Sequence, residues 1–337
     1  MRRGQPLTPM SFARREPGPH DVVIEIKYCG VCHSDVNHVR NGSSAMYPMV
    51  PGHEIVGTVA DRGFSVTKFA LGEFAAVGSV GDSCRACAAC RNGHEQYCEK
   101  GFVAVYRGTD RDGVRNYGGY SSNIVVDERY ALKLGADVDL ATTAPLLCAG
   151  ITTYSPLRHW NVGPRSSVGI VGMGGLGHMA LKLAKAMGAS VTVFTSSAMK
   201  IDDARRLGAD DTVLATGRGA TTSTSGPFDL VLDTVSASHN VSVYLDALRY
   251  DGTLVMLGIP EEPLSIAPYF LEQKRLSLAG SLVGGIEETQ DMLDFCATHR
   301  IAADVEPISL YDVNQAHERL LKNDVRYRFV IDMASQP

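Results

Sequence analysis

The sequence predicts an α/β protein in two parts, a β-rich irregular part and a doubly wound parallel sheet. Two observations carry this: short strands punctuated by glycine and proline up to residue 149, and regular β-α-β alternation after it. At 337 residues the chain also exceeds what a single core usually serves, so two domains are expected.

In the first part Val22–Tyr28, Ile55–Ala60 and Ile124–Val126 read as strands. Gly78 to Gly119 is loop-like and holds four cysteines, and a loop of that length needs something to order it. After Ala149 the strands are Ser167–Val171, Val191–Phe194, Leu230–Leu232, Leu254–Gly258 and Ser277–Gly280. Between them, helical spacing appears over Leu176–Met187, in a helix ending near Arg205–Gly208, and over Val243–Leu248. Thr221–Ser225 is a polar loop. Beyond Gly285 come amphipathic helices at Glu288–His299 and Val313–Leu321 and a last strand at Phe329–Met333.

Composition narrows the function. The chain is 45% apolar and 20% charged with a formal charge of −5, which gives no reason to expect nucleic acid as a partner. No run approaches about eighteen apolar residues, so no membrane span is expected. The segment MRRGQPLTPMSFARREPG lacks the apolar core of a signal peptide, which makes the cytoplasm the expected location. Eight cysteines there read as metal ligands or free thiols rather than disulfides.

Cys84, Cys87, Cys90 and Cys98 are spaced for one tetrahedral ion, and four thiolates leave no open position for water. Such a site is structural. An iron–sulfur cluster suits other spacings, and a zinc ribbon for nucleic acid sits poorly with the acidic chain. A second donor set is Cys32 in CGVCHSD, His53 in PGHE and Cys148 in PLLCAG, two cysteines and one histidine that leave a position for substrate. Cys148 alone would read as a buried core thiol; the three motifs together read as a catalytic zinc. Asp35 is placed to accept the other imidazole proton of His53, and Glu54 lies beside the metal.

These motifs, with GGYS at Gly118–Ser121, PLLCAGITTYSPLRHW at Pro145–Trp160 and RYRFVID at Arg326–Asp332, resemble the zinc-containing medium-chain dehydrogenase/reductases along essentially the whole chain. More narrowly they resemble the cinnamyl-alcohol-dehydrogenase-like branch. The resemblance implies a GroES-like catalytic domain at 1–149 and 286–337, a Rossmann domain at 150–285, two zincs per chain, a small alcohol or aldehyde substrate, and a homodimer.

Gly172-Met-Gly174-Gly175-Leu176-Gly177 matches the dinucleotide fingerprint and follows a strand, as that turn requires. At the end of the next strand stand Thr195, Ser196 and Ser197, with Lys200 one turn later, where an NAD enzyme carries an acid. Hydroxyls and a lysine suit a 2′-phosphate, so NADP(H) is expected. Thr234, Val235, Gly258, Ile259 and Ser281 complete the candidate coenzyme set.

One departure stands out. The resemblance implies a proton relay from a hydroxyl, here Ser34, to a histidine five residues after the cysteine ligand, but that position is Asn37. An amide is no general base. Three readings are open: His38 substitutes, water completes the path, or the natural reaction needs less proton transfer, as in reduction of conjugated enals or iminium-type substrates. His38 also reads as an ordinary surface histidine. The Glu99–Asn116 segment is altered as well, which leaves the substrate itself unread.

Overall fold

The computed structural model describes residues 4–42, 47–215, 227–260 and 262–335, so the expected polar loop at 221–225 lies outside the described residues. The chain divides into two compact units, 1–151 with 284–337, and 152–283.

The first unit contains, in chain order, β1 (Asp21–Val31), α1 (His33–Asn41), β2 (Ile55–Arg62), β3 (Phe74–Val77), β4 (Val80–Asp82) and α2 (Ala88–Arg91). Short strands follow: β5 (Val103–Ala104), β6 (Gly108–Thr109), β7 (Arg115–Asn116), β8 (Asn123–Asp127) and β9 (Leu132–Lys133). After α3 (Leu140–Thr143), helix α4 (Ala149–His159) leads into the second unit.

That unit alternates β10 (Ser167–Val171), α5 (Gly175–Ala186), β11 (Ser190–Thr195), α6 (Met199–Arg206), β12 (Asp211–Leu214), β13 (Phe228–Asp233), α7 (Ser242–Asp246), β14 (Leu248–Met256), α8 (Tyr269–Glu272) and β15 (Ser277–Gly280). The chain then rejoins the first unit with α9 (Ile286–His299), β16 (Val305–Ser309), α10 (Val313–Leu321) and β17 (Arg328–Asp332).

The first unit is organised by β1. Its early half pairs with β8 and its late half with β17, while β2 runs antiparallel along most of its length. The seven-stranded sheet runs β16-β17-β1-β2-β3-β9, with β8 joined to β1 off that path. Val22, Ile24 and Ile26 alternate inward and are buried, as the period of a strand dictates. The terminal strand β17 therefore completes a sheet begun three hundred residues earlier, with Cys29 opposite Ile331.

The second unit is a six-stranded parallel sheet in the order β12-β11-β10-β13-β14-β15. The order reverses on either side of β10, so the turn after that strand opens where doubly wound sheets bind ligands. The sequence expectation of a helix over Val243–Leu248 is too long. The helix stops at Asp246, and Leu248 already begins β14, paired with Phe228 across a register shift. Leu248 is fully buried, so its apolar spacing reports a core position that helix and strand satisfy equally. Among the described residues no helix is long and apolar enough to cross a membrane.

Candidate functional site

In the first unit the chain bends out of β1 at Cys32, which caps α1, while His53 and Glu54 immediately precede β2. Cys148 ends the 3₁₀ turn Ala144–Leu147. Donor atoms of Cys32, His53, Glu54 and Cys148 all lie within 4.8 Å of one another, and all four residues are buried. The Cys32 and Cys148 sulfurs are 3.7 Å apart. Two thiolates on one tetrahedral zinc at about 2.3 Å each would stand about 3.8 Å apart. The donor set fits the ion.

The surroundings of these donors are built for charge. Asp35, fully buried, accepts from the backbone N–H groups of Cys32 at 3.0 Å and Gly52 at 3.1 Å, and faces His53 Nδ1 at 3.2 Å. With Nδ1–H donated to Asp35, the Nε2 lone pair of His53 is free for a metal. Burial works against ionising Asp35, yet His53 beside it, through electrostatic attraction and the Nδ1–H hydrogen bond, keeps its carboxyl below the usual range. The hydrogen bond between Cys32 and Cys148 holds the Cys32 thiol well below its ordinary pKa and pushes Cys148 well above its own.

Glu54 Oε1 accepts from the buried Arg328 guanidinium on β17, whereas Oε2 is buried with no hydrogen-bond partner. Burial raises the Glu54 carboxyl to about 8 even with Arg328 opposing it. An orphaned carboxylate oxygen inside a cysteine–histidine cluster is a further donor toward the same ion. Gly30 makes this possible, because a Cβ there would stand 1.9 Å from Glu54 Oε2.

Ser34 sits half-buried on the first turn of α1, and Asn37 is exposed. His38 is committed elsewhere. Its Nε2 accepts from Arg107 at 2.8 Å, so its Nδ1–H is the atom facing Tyr106 Oη at 2.8 Å. Burial, then the Arg107 charge, lowers His38 to about 4. Tyr106 in turn packs on His53 with ring centroids 5.9 Å apart. Arg328, Tyr106 and Arg107 escape sequence reasoning. RYRFVID marks the first as part of a motif without a role, and the altered 99–116 segment holds the other two with no motif of their own.

Cys84, Cys87, Cys90 and Cys98 also converge, with ligand atoms within 4.8 Å of one another. Sulfur separations are 3.9 Å for Cys84–Cys90 and 3.4 Å for Cys87–Cys90. Backbone N–H groups donate to two of the sulfurs, Cys84 N to Cys98 at 3.4 Å and Cys87 N to Cys84 at 3.3 Å. Four thiols so arranged fit a closed tetrahedral ion.

In the second unit the turn after β10 has the geometry that a pyrophosphate needs. Gly172 takes φ +93°, a region that side chains avoid, and a Cβ on Gly177 would meet the Gly172 carbonyl at 2.0 Å. Gly174 faces open space and precedes Gly175, Leu176 and the rest of α5, at whose N-terminus an anion is favoured. Thr195 closes β11 and its Oγ1 accepts from Ser197 N at 3.2 Å, Ser196 is exposed, and Lys200 lies in the first turn of α6. Thr234 and Val235 follow β13 and border the Gly172 turn, Gly258 is buried just past β14, Ile259 is exposed, and Ser281 follows β15.

Known proteins share both parts. Residues 18–136 match the alcohol dehydrogenase GroES-like domain, and residues 175–298 match the zinc-binding dehydrogenase domain. The chain belongs to the zinc-containing medium-chain dehydrogenase/reductases, in their cinnamyl-alcohol-dehydrogenase-like branch. An NADP-dependent alcohol dehydrogenase C of Mycolicibacterium smegmatis is 50% identical over 333 residues, 98% of this chain and 95% of that protein. The aldehyde reductase YahK of Escherichia coli is 50% identical over 331 residues, 97% of this chain and 95% of its own length. A cinnamyl alcohol dehydrogenase from Sorghum bicolor is 43% identical, with a TM-score of 0.94 over 98% of this chain and 95% of that one. For this medium-chain dehydrogenase, both the β-rich and the doubly wound expectation hold.

Proposed function

We propose that this chain is a zinc-dependent alcohol dehydrogenase and aldehyde reductase, exchanging a hydride between NADP(H) and a primary alcohol or its aldehyde, aromatic, allylic or medium-chain aliphatic. The observation that carries this is the convergence of Cys32, His53 and Cys148 on one point, two thiolates and one imidazole that leave a position for substrate, with Glu54 beside them. Relatives at 50% identity bear the names of an alcohol dehydrogenase and an aldehyde reductase, which favours carbonyl over enal or iminium reduction.

Bound zinc would polarise the carbonyl and NADPH would supply the hydride. The protein's own residues do the rest. Asp35 fixes the ring and tautomer of His53. Arg328 balances Glu54 inside the apolar core, which keeps that carboxylate within reach of the ion without an uncompensated charge. Ser34 is the first proton link, and from there solvent at the exposed Asn37 completes the path, because both ring nitrogens of His38 are occupied.

Cys84, Cys87, Cys90 and Cys98 hold the second, structural zinc. The glycine turn of the unit 152–283 carries the pyrophosphate, and Ser196, Ser197 and Lys200 receive the 2′-phosphate. We place the enzyme in the cytoplasm as a homodimer. The edge strand β15, with Leu278 and Leu282 exposed, supports the dimer as a surface that a second copy would cover.

The test is NADPH oxidation with cinnamaldehyde, benzaldehyde and hexanal by protein carrying two zincs per chain. Turnover with all three, and much weaker turnover with NADH, is expected; a two-zinc protein inert toward every aldehyde overturns the reading. Lys200→Ala should weaken NADPH binding by roughly 10–100-fold, the loss of one charge-assisted hydrogen bond, and leave NADH binding unchanged. Equal losses for both coenzymes would remove the 2′-phosphate role. Light scattering at a dimer mass checks the assembly.

A further inference from the structure

The unit 152–283 contains a buried carboxylate arrangement of its own, unrelated to any metal donor. Asp233, the last residue of β13, is fully buried. Its carbonyl accepts from Leu257 N at 2.8 Å and Gly258 N at 3.0 Å, and its Oδ1 accepts from Val235 N at 3.0 Å. The remaining oxygen, Oδ2, faces His239 Nε2 at 2.8 Å, and His239 Nδ1 faces the Ala237 carbonyl at 2.8 Å.

Both ring nitrogens of His239 therefore face acceptors. A neutral imidazole donates from one nitrogen only and would turn a lone pair on an oxygen at the other. The imidazolium is the form that satisfies both contacts. Its positive charge neutralises a carboxylate that would otherwise be buried without a counter-ion.

What the pair holds is a wall of the dinucleotide turn. Thr234 donates to the Val171 carbonyl through its N–H at 3.0 Å and its hydroxyl at 2.7 Å. A Cβ on Gly172 would meet both Thr234 Oγ1 and Val235 Cγ2 at 2.8 Å, so this segment lies directly against the turn. One residue thus ties the ends of β13 and β14 and the 234–239 segment to a single charged hub.

We propose that the His239 imidazolium is a positioning residue for the coenzyme, holding the 234–239 segment against the Gly172 turn, so that NADPH affinity falls when His239 loses its proton. The proposal rests on the reading that this turn binds NADP(H). The hydrogen bond to Asp233, ahead of the burial that opposes it, raises the His239 pKa above its ordinary value. Among the described residues, the other titratable side chain facing the ring is Tyr244 on α7, 5.9 Å between centroids, which burial and then Asp233 push up to about 12. With a raised folded-state value, the contribution is complete below about pH 6.5 and is lost as pH rises through the folded pKa.

Fluorescence titration of NADPH across pH 6 to 10 with wild type and His239→Gln tests this. The expected wild-type affinity falls about tenfold over the alkaline window, the factor for one pKa unit of differential protonation. The variant should bind about tenfold more weakly at pH 6.5, lack that step, and meet the wild-type curve at high pH. Parallel curves overturn the inference. Should His239→Gln fail to fold, a histidine-labelled NMR titration of wild type decides. One imidazole should titrate above the ordinary range and move higher on adding NADPH, as reciprocal linkage demands; no imidazole that does so overturns it. Wild type that binds no NADPH at any pH overturns the coenzyme reading along with it.

Discussion

The two cysteine-containing clusters of the first unit differ in how their donors are held. Cys84, Cys87, Cys90 and Cys98 come from one short stretch of chain, and three of the four are only half-buried. Around them are a four-residue helix and a three-residue 3₁₀ turn, neither with a buried apolar face of its own. Cys32, His53, Glu54 and Cys148 come from well-separated positions, are all buried, and stand at the ends of β1, β2 and a 3₁₀ turn packed into the core. On the proposed reading, an ion at the first cluster would order the chain, whereas at the second the chain would order the ion, with Asp35, Arg328 and Tyr106 set around the donors in advance. Structural and catalytic metal sites differ here in which partner supplies the rigidity.

The sharpest break of that contrast is Cys148→Ser. Turnover should be lost, the zinc count should fall from two to one, and the melting temperature should move little, because the core around 148 is already packed. Activity that persists with one zinc would place the catalysis elsewhere. Next in size is Cys87→Ser, read by calorimetry. Metal-binding free energy on the order of 10 kcal/mol can couple to folding at such loops, so the melting temperature should drop by about 10 °C or more while turnover at low temperature survives. An unchanged melting temperature would show that the lobe folds without its ion.

Arg328→Gln sharpens the comparison from the other side. At about pH 9, above the raised Glu54 value, removing one member of a buried pair should cost about 3–5 kcal/mol in denaturant unfolding, since an ionised Glu54 loses its counter-ion. A loss below about 1 kcal/mol would mean that Glu54 is neutral in the folded protein. The smallest effect belongs to Asn37→His. If solvent already carries the proton there, alcohol oxidation near neutral pH should rise by no more than about tenfold, well short of a full general-base contribution. A pH–rate profile that acquires no new histidine limb would show that position 37 lies off the proton path.

Much of the site was legible in residue identity. Zinc ligation demands thiolates and imidazoles, which are rare enough that CGVCHSD, PGHE and the four-cysteine loop announce themselves, and a dinucleotide turn demands glycines at set intervals. Arg328 was not legible in the same way, because an arginine on a terminal strand is ordinary until that strand is seen beside β1. The same holds for His38. Its position suggested a displaced relay base, whereas Arg107 and Tyr106, brought beside it by the 103–109 segment, occupy both of its nitrogens. Leu248 shows the limit for secondary structure, since an apolar residue in register with a helix is equally the first residue of a buried strand.

The sequence by itself determined the chemistry on offer: which residues can ligate a metal, which turn can approach a phosphate, and that a strand-rich part and a parallel-sheet part share the chain. Those properties depend on side-chain type and on spacing along a few residues. Only the tertiary structure decided the charge balance, that Glu54 faces Arg328, that Arg107 and Tyr106 close on His38, and that Asp233 meets His239. Electrostatic partners in a low-dielectric interior are set by which strands lie side by side, and that adjacency joins residues hundreds of positions apart.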